Sequence, residues 1–463
     1  MKLLKSTFER RFVEHTMMIA LPIMLQNGIT NFVNMLDNIM VGRIGTDPMT
    51  GVSIVNSLLF VWNLCLFGGL SGIGIFTAQY CGKEDDEGVR RTFRLQIILA
   101  ILLVAAGIAV FVNFGESLIG LYLHEDSGGG SVEATMSAAL QYLSVMCVGF
   151  LPLSLTMVYY TTIRSYGETV APMVASFISV GVNLVGNYVL IFGKFGAPKL
   201  GVVGAAMATV IARFVELAYI VGWAHTHAAR VPFVEGALRS MYVPAELTVS
   251  CIRKGVPLLL NEALWSGGQA TLTQCYSVRG LSVVSSLNIS QTLANFFNVA
   301  FIAMGSATAI IIGQKLGELG ESHPDELKDE AWRLTIFSVF LCVISALLMI
   351  STSAFFPQIY NTSDEIRALA ARLICVAACF MPIHAFNNAA YFILRSGGKT
   401  WITFLFDSCF CWIASIPAAY FLAHYTQVPI VQMFALVSAI EMIKVAIGWK
   451  LVSTGFWIRD ITV

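Results

Sequence analysis

Apolar runs of roughly 20 residues or more recur along the chain, separated by short breaks that carry charges, Gly, Pro or Ser. About 20 residues of α-helix cover a hydrocarbon core of ~30 Å, so each run is long enough to cross a bilayer. Twelve are resolved, at about 12–42, 50–80, 90–114, 133–161, 168–193, 201–224, 252–279, 283–314, 332–356, 366–394, 400–422 and 429–450. The short alternating strands of a membrane β-barrel are not seen. The pattern predicts an all-α integral membrane protein with twelve transmembrane helices.

Polar positions inside the spans fall on particular faces. In the first span Asn27, Thr30, Asn31, Asn34, Asp37 and Asn38 follow a three-and-four spacing that forms one stripe containing a carboxylate. The seventh span repeats the arrangement with Glu262, Ser266, Gln269, Thr273 and Tyr276. Spans two and eight add Ser53, Asn56 and Asn63, and Asn288, Gln291, Asn295 and Asn298. Such stripes cannot look at lipid, and together they predict a wet central cleft. His384, Asn388 and Tyr391 share a face of the tenth span and are further candidates to line it.

For a single Asn or Ser the ordinary role is an interhelical hydrogen bond, worth about 0.6 kcal/mol on average. A carboxylate at mid-helix costs about 2.5–3.5 kcal/mol to insert, which a weak neutral hydrogen bond does not offset. Asp37 and Glu262 lack a basic residue one turn away, which makes them the candidate cation-coupling acids. Such an acid takes a proton where desolvation favours its neutral form, or Na+ where carbonyls and amides complete an oxygen shell. Glu262 is the candidate Na+ ligand. Asp407, near the start of the eleventh span, is either an additional cation-binding acid or a residue of the cytoplasmic interface. Glu216 and Glu441 are expected to pair with Arg213 and Lys444, each three residues away.

The chain also repeats itself. Arg164-Ser165-Tyr-Gly167-Glu-Thr169 recurs as Arg395-Ser396-Gly-Gly398-Lys-Thr400, 231 residues later. Pro22, Gly45, Gln79 and Gly82 fall 235 residues before Pro257, Gly280, Gln314 and Gly317, and the Ser127-Gly-Gly-Gly130 stretch is a natural place for the difference in offset. The expected organisation is therefore two pseudo-symmetric six-helix bundles around the central cleft. Residues 1–228 form the N-terminal lobe and 229–463 the C-terminal lobe, with a central cytoplasmic loop at about 225–250. Six spans per half give both halves the same orientation. Asp37 and Glu262 break the symmetry, since their repeat positions are Leu272 and Asn27.

Composition agrees with a membrane chain: 57% of residues are hydrophobic and 12% charged, where a soluble domain carries about 25% charged residues. Placing both termini in the cytoplasm puts most of the 28 Lys and Arg residues inside, including Lys2, Lys5, Arg164, Arg395 and Lys444. A multi-pass plasma-membrane protein follows, in a bacterium the inner membrane. The first span lacks a cleavage site and is expected to remain in the membrane. Zero net charge offers nothing for nucleic acid, the ten cysteines lack zinc partners, and no cofactor is expected. The 31 Phe and 18 Met residues supply polarizable surface for lipophilic cations. A closed two-lobe unit surrounded by membrane lipids is expected to be a monomer.

Leu21-Pro22 through Asp37-Asn-Ile-Met-Val-Gly42-Arg-Ile-Gly45, Gln79-Tyr-Cys-Gly82, Pro257-Leu-Leu-Leu-Asn261-Glu262-Ala-Leu-Trp265-Ser-Gly267 and the paired Arg-Ser-x-Gly-x-Thr motifs resemble the multidrug and toxic compound extrusion (MATE) transporters. The resemblance covers nearly all of the chain. It implies two six-helix lobes about a V-shaped cleft and export of organic cations in exchange for Na+ or H+. Asp37 then matches the N-lobe acid of the first helix and Glu262 the C-lobe acid of the seventh. Many members carry a further acid in the tenth helix, where this chain has Phe386-Asn387-Asn388. A flippase for lipids or lipid-linked oligosaccharides is the nearest alternative, but it would line its cleft with Arg and Lys to hold a pyrophosphate. A membrane enzyme is more remote, because His225-Thr-His227 stands alone in the central loop.

Overall fold

The computed structural model describes residues 6–123 and 131–462, apart from the side chains of Asn34, Asn38 and Leu281. Lys2, Lys5 and the Ser127–Gly130 stretch lie outside the described residues. The described chain is helical throughout, with no strand. In the first half the long helices are α1 (Arg10–Gly42), α2 (Thr46–Gly82), α3 (Asp86–Gly120), α4 (Val132–Val148), α5 (Phe150–Ser165), α6 (Val170–Phe192) and α7 (Gly201–Thr226). The second half supplies α8 (Ala245–Ser277), α9 (Leu281–Leu319), α10 (Pro324–Thr352), α11 (Asp364–Ser396), α12 (Thr400–Tyr425) and α13 (Ile430–Thr454).

Ten of these are long and apolar enough to span a membrane, and α4 with α5 forms an eleventh span bent by 47°. The twelfth is α8, 33 residues long, whose Asn261, Glu262 and Gln269 lower its hydropathy. Each predicted span therefore has its helix, and the fold is that of a twelve-helix membrane protein.

The bend between α4 and α5 has a local cause. Gly149 interrupts the helix, and Arg213 on α7 donates from Nη1 to its carbonyl at 3.3 Å. A Cβ on Gly149 would press on that guanidinium and on Val210. In α12 two π-helical turns, Leu405–Cys409 and Cys411–Ser415, interrupt the regular ladder. Such turns re-aim side chains and occur frequently at functional sites.

The chain gathers into two compact units. One contains Met1–Met24, Ala78–Asp85 and Ile252–Val463; the other contains Leu25–Thr77 and Asp86–Cys251. The first turns of α1 and the last turns of α2 thus belong with the second half of the sequence. The core of that unit includes Phe12, Ile23, Met304, Leu334, Phe337, Leu394 and Trp457. Here the repeat glycines allow helices to touch backbone to backbone: a Cβ on Gly82 would overlap the carbonyl of Gln314, and a Cβ on Gly317 that of Gln79.

The Gln79 side chain pins the C-terminal tail. Its Nε2 donates to the carbonyls of Ser396 at 3.0 Å and Arg459 at 3.2 Å, and its Oε1 accepts from Ile461 N at 2.9 Å. Lys83 adds an ion pair to Asp460 at 2.7 Å. Gln79→Ala leaves these backbone groups without their partner, and the expected cost is about 1–3 kcal/mol, read as a lower thermal midpoint in detergent. An unchanged midpoint would show that water replaces the amide at no cost.

Candidate functional site

Two buried polar layers, one in each unit, are built around repeat-equivalent amides. In the first, Gln26 on α1 is 6% exposed; its Nε2 donates to Ser176 Oγ at 2.6 Å and its Oε1 accepts from Arg164. Tyr160 and Ser176 both donate to Glu216 Oε1, at 2.5 and 2.9 Å. The expected Glu216–Arg213 pair is therefore not what forms. Arg213 instead donates to the carbonyl of Gly149, which also accepts from Leu153 N at 3.3 Å, and two hydroxyls satisfy Glu216.

Asp37 lies nearer the C-terminal end of α1, half-buried, and accepts from Asn187 Nδ2 of α6 at 2.6 Å. Asn187 also donates to Asn183 Oδ1 at 3.2 Å, and Asn183 contacts Thr209 Oγ1 of α7 at 3.1 Å. With its amide turned over, Asn183 donates to Asp37 as well, at 2.9 Å, and accepts from Thr209. In that orientation the carboxylate is held by two amides from one face of α6. The pair is four residues apart in a largely apolar span, which is the signal by which sequence reading could have found it.

In the other unit the hub is Asn261 on α8, 2% exposed. Its Nδ2 donates to Asp407 Oδ2 at 3.2 Å and lies 3.4 Å from the Tyr391 hydroxyl, while its Oδ1 accepts from Ser408 Oγ at 2.7 Å. Asp407 sits in the first π turn of α12 and forms an ion pair with Lys444 of α13 at 3.0 Å. Lys444 also pairs with Glu441 at 3.2 Å, as the spacing predicted. Lys444 is 5% exposed and ten residues from the end of its helix, about 15 Å along the axis. Glu262, at the middle of α8, is half-buried. Among the described residues neither Glu262 nor Asp37 has a basic nitrogen within ion-pair distance.

The remaining candidates divide by exposure. Asn31, Asn56, Gln269, Asn288, Gln291 and Asn295 are exposed on their helices, with Gln291 donating to Asn295 at 2.8 Å. Asn27, Asn63, Ser266, His384 and Asn388 are half-buried, and Asn63 Oδ1 and Asn388 Oδ1 are buried without a partner. Tyr276 is 7% exposed and meets Phe434 edge-on at 5.6 Å in an apolar cluster, a core position away from the polar face. Tyr391 is 8% exposed and joins the Asn261 layer. The side chain of Asn34 lies outside the described residues.

The MatE family profile matches residues 22–189 and again 257–421, once for each half of the repeat. The chain belongs to the MatE family. Among relatives of this MatE chain, a probable multidrug resistance protein NorM of Thermotoga maritima is 25% identical over 420 residues, covering 88% of this chain and 85% of that one. A NorM of Halalkalibacterium halodurans is 23% identical over 447 residues, covering 94% and 93%. An outward-facing multidrug resistance MATE family transporter superposes with a TM-score of 0.83 at 18% identity, covering 95% of this chain and 96% of that one. A mutant of the Vibrio cholerae MATE transporter VcmN gives 0.86 at 15% identity with both chains fully covered. MatE membership makes this a transporter-family protein and not an enzyme.

Proposed function

We propose that this chain is a secondary active antiporter that exports organic cations or drugs in exchange for Na+ or H+ by alternating access. The observation that carries the reading is Asp37: a carboxylate within a span, bound by a neutral amide at 2.6 Å and free of any ion pair, on a half-buried face. A carboxylate in that setting is available to a cation from outside the protein, and its charge changes when the cation binds. Relatives named multidrug resistance proteins support the substrate class.

With Asp37 and Glu262 ionised, an amphipathic cation is favoured; when Na+ or H+ neutralises an acid, that attraction is lost and the drug is released outward. In this scheme the exposed amides Asn31 and Asn56 of one unit, and Gln269, Asn288, Gln291 and Asn295 of the other, are the polar groups that meet the transported cation. Lobes 1–228 and 229–463 carry out the alternation as a monomer in the bacterial inner membrane, with both termini cytoplasmic. Each net inward charge contributes about 2.3 kcal/mol per 100 mV of membrane potential.

The test is ethidium or fluoroquinolone efflux from energised vesicles, driven separately by a Na+ gradient and by a pH gradient. Glu262→Gln is expected to lower coupled export about tenfold, the equivalent of one lost charge-assisted contact. Export undiminished in Glu262→Gln would remove that residue from the mechanism. If no cationic dye is exported under either gradient, the antiport reading fails.

A further inference from the structure

The polar layer around Asn261 contains its own cation. Lys444 Nζ lies 3.0 Å from Asp407 Oδ1 and 3.2 Å from Glu441 Oε2, and it faces the rings of Phe406 and Phe410 at 5.3 and 5.8 Å from their centroids. Two carboxylates and two aromatic faces around one positive charge are what a small monovalent cation would require of a buried site. Here that charge is covalently attached. Asn261 donates to the second oxygen of Asp407, and Asn387 Nδ2 donates to Glu441 Oε2 at 3.3 Å. The Oδ1 of Asn387 is buried without a partner on a residue only 5% exposed. An orphaned amide oxygen beside a carboxylate is a neutral ligand of the kind hard cations take, so the layer holds more oxygen donors than the ammonium uses.

We propose that Lys444 is a tethered cation filling the carboxylate site of the second half, so that Asp407 and Glu441 hold an ammonium where they would otherwise hold Na+. The charge balance makes this consequential. Without the ammonium, two half-buried carboxylates share one layer with no counter-charge, which favours uptake of a proton or a metal cation. With it, Asp407 and Glu441 are withdrawn from exchange, while Glu262 within its span carries no ion pair. Lys444 is in this sense a specificity-determining residue: it decides how many exchangeable cations the second half takes. The proposal rests on the antiport reading for the meaning of that exchange, and on the ion-pair geometry for the site itself.

The experiment measures thermal unfolding of the full-length, detergent-solubilised chain in NaCl and in N-methyl-D-glucamine chloride at equal ionic strength. Parent and Lys444→Arg keep an internal cation and should show the same Na+ increment as each other. Lys444→Ala and Lys444→Met empty the site, and Na+ should raise their midpoints by about 3–4 °C more than it raises the parent's. The same variants should bind additional radioactive Na+ relative to the parent, and Asp407→Asn placed on top of Lys444→Ala should abolish the gain. Equal Na+ increments in parent and Lys444→Ala overturn the proposal, as does a variant that fails to fold in both salts. Dye export by the parent is read separately, so failure of the antiport reading leaves the cation-binding result intact.

Discussion

Asp37→Asn yields a folded protein whose coupled dye export falls roughly tenfold to a hundredfold under either gradient. The substitution keeps the size of the side chain and an oxygen that accepts from Asn187 Nδ2, so the contacts of α1 with α6 survive. What disappears is the change of charge. A bound cation shifts the balance between two conformations only by its differential affinity for them, and an amide offers H+ or Na+ almost none. Exchanging a neutral for a charge-assisted hydrogen bond is worth about 1.5–3 kcal/mol, which sets the expected fall in coupled export at roughly tenfold to a hundredfold. Vesicle efflux together with a thermal midpoint in detergent checks both parts. Normal coupled export from the Asn variant would show that Asp37 is only a structural acceptor for Asn187.

Valine at Gly82 or at Gly317 prevents the protein from being isolated as a monodisperse species. At each glycine the added Cβ would overlap a carbonyl oxygen in the backbone of the opposite helix, at Gln314 or Gln79, where no side chain can swing away. Overpacking against side chains typically costs about 1–3 kcal/mol, and separating two helical backbones also breaks the packing on both sides. Gly28→Ala is the matched control. It lies within α1 with no atom within 4 Å of the added methyl, and removing a helical glycine is worth about 1 kcal/mol in its favour. Size-exclusion profiles of the three variants test the contrast, and a normal profile for Gly317→Val would sink the steric argument.

The spans were legible because each one needs a long apolar run, and even α8 was bounded by it despite Glu262 and Asn261. The candidate acids stood out for the converse reason, a charge where insertion is costly. Their partners were only half legible: the four-residue spacing of Asn183 and Asn187 marks a polar face, but that Asn187 meets Asp37, 150 residues away, depends on tertiary packing. Arg213 shows how a local rule fails. Three residues from Glu216 it looked paired, but its guanidinium donates to the Gly149 carbonyl at a bend of which the apolar run over 133–161 gave no sign. Counting basic residues by side gave no sign that Lys444 is buried in an ion-pair layer. Its helix continues to Thr454, which carries the ammonium well inside the layer of Asp407 and Glu441.

The crossing of α2 and α9 has a symmetry of its own. Gly82 meets the carbonyl of Gln314, and Gly317 meets the carbonyl of Gln79, so each repeat presents the same glycine and receives it on the same glutamine. That reciprocity defines an isologous contact, the kind formed by two identical subunits across a two-fold axis. A single ancestral half bearing Gln-x-x-Gly here would have carried both sides of the joint, and could have paired with a second copy before any gene fused them.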